Sequence, residues 1–180
     1  MRKYVLLSLA ALAASIVSGG GNAMAAGMGM HEEKADVSLA AAPNVMTSAK
    51  GKASFTLGKD GSTLHYKLHL ENAENVTMAH LHAVGDAGGP GPVIVWLYPA
   101  SGMKPSTKEG KFSGVIAEGD LTPDKFAGDW KGKPVKEVFE QIEYGKAGVA
   151  VHTVKNPKTE LWGVHKEETE GHMKKEKKKM

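Results

Sequence analysis

Ala53-Ser-Phe-Thr-Leu-Gly-Lys-Asp-Gly-Ser-Thr-Leu-His-Tyr-Lys-Leu-His-Leu70 is the stretch that decides the fold class. Ala53, Phe55 and Leu57 alternate with polar residues, and Leu64, Tyr66, Leu68 and Leu70 do the same after the break. Alternate residues of a strand face the same side, so each run has one apolar face to bury. Between them, Lys59-Asp60-Gly61-Ser62 supplies the Asp-Gly pair that tight hairpin turns favour. The hairpin predicts antiparallel β-structure.

Working outward, Val76 to Asp86 continues the strand pattern, and Gly88-Gly-Pro-Gly-Pro92 breaks it. Val93-Ile-Val-Trp-Leu-Tyr98 is apolar on both faces, as in a strand covered from two sides. Pro99 to Gly110 reads as a loop and Lys111 to Ala117 as a strand. Helix signals are confined to Leu121–Gly145: Thr122-Pro123-Asp124 resembles a helix start, ending by Gly128. A second start lies at Pro134, followed by Val135, Val138, Phe139 and Ile142 at helical spacing. Val149–Val154 and Glu160–His165 form a closing hairpin around Asn156 to Thr159. The expected fold is all-β: an antiparallel, Greek-key-like β-sandwich or barrel with a short helical insertion near residues 122–144.

The chain has 180 residues. Arg2 and Lys3, the apolar run Tyr4–Val17 and Ala23-Met24-Ala25 have the order of a secretory signal peptide, so residues 1–25 are expected to be cleaved near Ala25. The mature protein is expected to be periplasmic or secreted, without a membrane anchor, because it has no cysteine to carry a lipid. Residues 26–44 read as a flexible leader, 45–165 as one domain, and 166–180 as a charged, disordered tail. Met28, Met30 and His31 in the leader are soft-metal donors, although incidental methionines in a disordered leader are the simpler reading. Losing Arg2 and Lys3 takes the basic residues from 23 to 21 against 20 acids. A nearly neutral protein is not expected to bind nucleic acid, despite the local run Lys174–Lys179.

His80 and His82 occupy alternate positions of one strand, so both imidazoles project to one face. His152 lies on a later strand-like run, Gly148-Val-Ala-Val-His152-Thr. Imidazoles so placed suit copper or zinc. The competing reading is structural bracing through backbone, Asp86, Thr153 or Glu160. His65 and His69 have the spacing of a helical metal pair but sit on a strand, roughly 13 Å apart, and are expected on the surface. No Gly-x-Ser-x-Gly elbow or phosphate-cradling loop is present in the sequence.

Ala79-His80-Leu-His82, Gly88 to Val95, Gly119-Asp-Leu-Thr122, and Gly148 to Thr153 with Asn156-Pro157 and Glu160-Leu-Trp-Gly163 resemble the CHRD domain. This module is named from chordin and also occurs as a stand-alone exported bacterial protein. The resemblance spans about Lys50 to His165 and implies a β-sandwich. Trp162 stands where the family commonly has arginine. More faintly, His80 to Asp86 is similar to the copper-binding segment of Cu/Zn superoxide dismutases, and His152 matches a later copper ligand. The bridging and zinc histidines have no counterpart, since no histidine falls between His82 and His152.

Three functions are consistent with the sequence. The first is a non-catalytic binding module for a protein or surface partner. The second is a periplasmic copper- or zinc-binding protein using His80, His82 and His152. A dismutase-like redox enzyme ranks last.

Overall fold

The computed structural model describes residues 32–100 and 106–166. The expected signal peptide, the Met28/Met30/His31 group and the tail beyond Lys166 lie outside the described residues. The elements are β1 (Lys34–Ala41), β2 (Lys50–Leu57), β3 (Leu64–Val84), β4 (Pro90–Tyr98), β5 (Lys108–Leu121), α1 (Val135–Glu143), β6 (Ala147–Thr153) and β7 (Leu161–Val164).

All strand pairings are antiparallel. β2, β1, β7, β6 and β3 pair in that order, and β3 pairs again with β2, which closes a barrel. β4 and β5 add to β3 outside that ring. Along one edge of β3 run β2 and then β6; along the other run β5 and then β4. The expected all-β class holds, with barrel closure as its particular form.

The two strands read around Leu64–Leu70 and Val76–Asp86 are one strand of 21 residues. Its alternation is broken in the middle. Leu64, Tyr66, Leu68 and Leu70 face the core, then Ala73, then Val76, then Ala79 and Leu81. The ladder with β5 shifts register in the same region, between Leu70 and Ala73 and between Glu74 and Val76. Asn72 and Asn75 there have φ of +52° and +49°, in the left-handed region that asparagine tolerates best among residues with a side chain. The Asn72 N–H donates to Ser113 Oγ at 3.0 Å, and Asn75 Oδ1 accepts from the Gly110 N–H at 2.8 Å. Such irregularities bend a strand and reverse which residues face inward.

The insertion between β5 and β6 differs in part from expectation. Thr122–Gly128 does not form an α-helix; it gives short 3-10 turns at Pro123–Lys125 and Gly128–Trp130, and Thr122 makes no capping bond. Both Phe126 and Ala127 are extended, so the helix cannot propagate. α1 forms as the spacing predicts, with Val135, Val138, Phe139 and Ile142 buried against β1, β2, β3 and β6. Each such side chain contributes roughly 1.5–3 kcal/mol by burial.

A larger correction concerns residues 26–44. Against the expectation of a flexible leader, residues 34–41 form β1 and pair with β2 and β7. Ala35, Val37 and Leu39 alternate into the core. Two of its inward residues are small or β-branched, a weak signal when averaged with the glycines and charges before it. β1 is the only link between β2 and β7 among the described residues, so the barrel depends on it. A chain beginning at Val45 should show no cooperative unfolding in circular-dichroism melts, whereas one beginning at Glu32 should melt as the full chain does. Equal melting of the two would contradict this architecture.

Candidate metal centre

The reversal of facing within β3 places the candidate residues. Ala79 and Leu81 belong to the core, so His80 and His82 project from the barrel's outer side. The same parity holds on β6: Ala147, Val149 and Val151 face the core, leaving Gly148, Ala150 and His152 on the outer side. In the β3–β6 ladder, Met78 lies opposite His152, His80 opposite Ala150, and His82 opposite Gly148. The two small residues leave room between the imidazoles.

The three histidines converge. One nitrogen from each lies within 4.8 Å of the others, and His80 Nδ1 is 3.2 Å from His152 Nε2. Nitrogens sharing one ion at about 2 Å stand roughly 3.3–4 Å apart, so small side-chain rotations complete a set. Although they face outward, His80 is 5 % exposed and His82 and His152 are each 7 % exposed. Their cover comes from aromatic rings: Trp96, opposite His80 on β4, lies edge-on at 4.3 Å between centroids. Trp162 of β7 is edge-on to His82 at 6.4 Å, and its Nε1–H donates to Gly88 O at 3.1 Å. A Cβ on Gly148 would stand 2.6 Å from the Trp162 ring, so only glycine there lets the indole lie down.

Two backbone carbonyls orient the imidazoles. His82 Nδ1 lies 2.8 Å from Gly91 O, and His152 Nδ1 lies 3.1 Å from Pro157 O. A carbonyl only accepts, so both Nδ1 atoms carry the proton and both Nε2 atoms present lone pairs. This is the arrangement that commonly orients metal-binding histidines. Nε2 of His80 and of His82 are buried without a hydrogen-bond partner among the described residues. An unpartnered buried polar atom is costly, and His80 and His82 each carry one.

Of the expected bracing partners, the backbone is found, as these two carbonyls, while the side chains of Asp86, Thr153 and Glu160 are placed elsewhere. Glu160 is buried and accepts from Thr47 Oγ1 at 2.7 Å, from Thr153 Oγ1, and from Asn156 Nδ2 at 2.8 Å. Burial alone would raise its pKa, but these hydrogen bonds and Lys155 outweigh that and lower it. Glu160 thereby ties down the β6–β7 loop that offers Pro157 O to His152. Asp86 is exposed, and His65, also exposed, pairs with Asp120 at 2.9 Å. His65 and His69 take no part in the cluster.

Sequence reasoning reached the three histidines and missed the two tryptophans and the carbonyls that orient the rings. The Trp162 substitution was the available signal. Beside Trp162 opens a cleft of ≈ 680 Å³ between the Gly88–Pro90 turn and the Asn156–Thr159 loop. Fold and cluster define the class first: a closed antiparallel β-barrel with a buried triad of histidines on its outer side, able to hold a metal ion. The family model of the CHRD domain matches residues 34–164, and the chain belongs to that family. The match begins and ends with β1 and β7, so the family's unit is the whole barrel. No curated protein and no solved structure gives a significant match to the chain.

Burial pushes the His80 pKa down to about 3, with His152 and His82 adding to the effect. Burial also lowers His82 and His152, against the opposing pull of their carbonyl partners. Unfolded histidine binds a proton near pH 6.5, where the folded triad stays neutral, so the unfolded state holds more protons as pH falls. Stability is therefore full above about pH 6.5 and declines from there toward pH 3. With chelator present, the urea midpoint should fall between pH 7 and 5, before carboxylates titrate, and fall less in His80→Gln. A midpoint constant over that range would contradict the burial of neutral imidazoles.

Proposed function

We propose that this chain is an exported, non-catalytic metal-binding protein that holds one copper or zinc ion through His80, His82 and His152. The observation that carries the reading is the convergence of three buried imidazoles, one nitrogen of each within 4.8 Å of the others, with two rings already oriented by carbonyls and two Nε2 atoms unpartnered among the described residues. A purely structural role for these histidines explains the carbonyl contacts and the 3.2 Å hydrogen bond between His80 Nδ1 and His152 Nε2. It leaves the two unpartnered nitrogens without a purpose, and an ion would satisfy them. Export is supported by the order of charge, apolar run and small residues in Arg2–Ala25. A general protein-binding module, the other class the family suggests, has no comparable feature in its favour. Dismutase-like turnover is less supported still, because the sequence has no bridging or zinc histidines.

A ligand that binds only the folded state at a hundred times its Kd stabilises it by about 2.7 kcal/mol. For a domain of this size that is roughly 5–10 °C in Tm. The mature chain should gain such a shift with copper or zinc over chelator. His80→Ala and His82→Ala should each abolish the shift, whatever they do to the metal-free Tm. His65→Ala, His69→Ala and His31→Ala should retain it. A metal-independent Tm in the unsubstituted chain would remove this function.

A further inference from the structure

We propose that the ion this site is built for is Cu(I), and that Met78 is its fourth donor; this rests on the metal-binding reading above. The first argument is charge. All three converging donors are neutral imidazoles, and no carboxylate among the described residues belongs to the cluster. The carbonyls of Gly91 and Pro157 hold the Nδ1 protons of His82 and His152 in place, so neither ring becomes an anionic ligand. A dication in this setting would be buried without an anionic ligand. By Born scaling a dication costs about four times as much to desolvate as a monocation of similar size. A neutral, buried donor set therefore favours a univalent ion.

The second argument is coordination. Catalytic-type zinc sites with three protein ligands keep a water in the fourth position. Here the outward side of the cluster is covered by Trp96 and Trp162, the latter fixed to Gly88 O. Cu(I) is content with three donors, and with soft ones. The β3 positions 78, 80 and 82 share one face, and Met78 stands directly opposite His152. Directly opposed residues on one face have Cβ atoms about 5 Å apart, within reach of a flexible thioether. Met78 is half-buried and is not part of the barrel core. Its place beside His152 gives the cluster the one soft donor that zinc would not select.

The test is an anaerobic titration of the mature chain against the Cu(I)–bicinchoninate complex, with parallel titrations by Zn(II) and Cu(II). His31, Met28 and Met30 are replaced by alanine in every arm, so that the leader contributes no donors. The chain should withdraw one Cu(I) from the chelator, with tryptophan fluorescence quenched in step. Its affinity for Cu(I) should exceed that for Zn(II) by a hundredfold or more. Met78→Leu conserves volume and should lower Cu(I) affinity about tenfold while leaving Zn(II) affinity unchanged. Zn(II) or Cu(II) bound as tightly as Cu(I) would overturn this inference and leave the metal-binding reading standing. Unchanged Cu(I) affinity in Met78→Leu would overturn the fourth donor. Failure of all three ions to bind would overturn both readings together.

Discussion

β3 has to serve two halves of a closed barrel, and most of the structure follows from how it does so. Its first half lies between β2 and β5 and its second half between β6 and β4. A straight strand with unbroken alternation would send His80 and His82 the same way as Leu64 to Leu70, into the core. The irregular segment around Asn72 and Asn75 changes that parity and bends the strand. Closure of the barrel and presentation of the histidines on its outer side are thus one event. The left-handed backbone at the two asparagines, held by Ser113 and Gly110 on β5, is the local means.

The outer side of β3 is not uniform. Around its first half it carries exposed cross-strand ion pairs, Lys50–Glu71 and Lys67–Glu118, each at 2.9 Å. Such pairs contribute little, about 0–1 kcal/mol each, and serve mainly to keep that surface wet. Around the second half the same side is covered by indole rings and by two loops. Those loops supply the carbonyls of Gly91 and Pro157. The chain thus spends a folded surface on enclosing three polar rings, although it could have exposed them to water at no cost. The lowered pKa of every member of the triad records that cost.

Support for the enclosure reaches the far end of the domain. Glu160 gathers Thr47, Thr153 and Asn156, which binds the segment after β1 to the β6–β7 loop. β1 in turn pairs with β7, which carries Trp162. The ring of strands, the buried carboxylate and the indole therefore act on one site from three directions. The indole of Trp162 fits this picture, since it covers His82 without bringing a positive charge toward neutral donors.

By itself the sequence determined the strand class, the α1 stripe and the identity of the three histidines. These are properties of local period and residue type: alternation at Leu64–Leu70, helical spacing at Val135–Ile142, and two imidazoles at alternate positions of one strand. It also carried the family, through short stretches such as Ala79–His82 and Gly148–Thr153. It did not reveal β1, whose short inward residues are apolar only in alternation and whose partners lie far along the chain in β2 and β7. Nor did it show that β3 is continuous, because the bend at Asn72–Asn75 imitates a turn until β5 is seen running beside it. Which side of the barrel His80 and His82 face, and what covers them, was decided only by tertiary structure. Facing depends on a count of residues through an irregular segment, and cover depends on Trp96, Trp162, Gly91 and Pro157 arriving from other strands and loops.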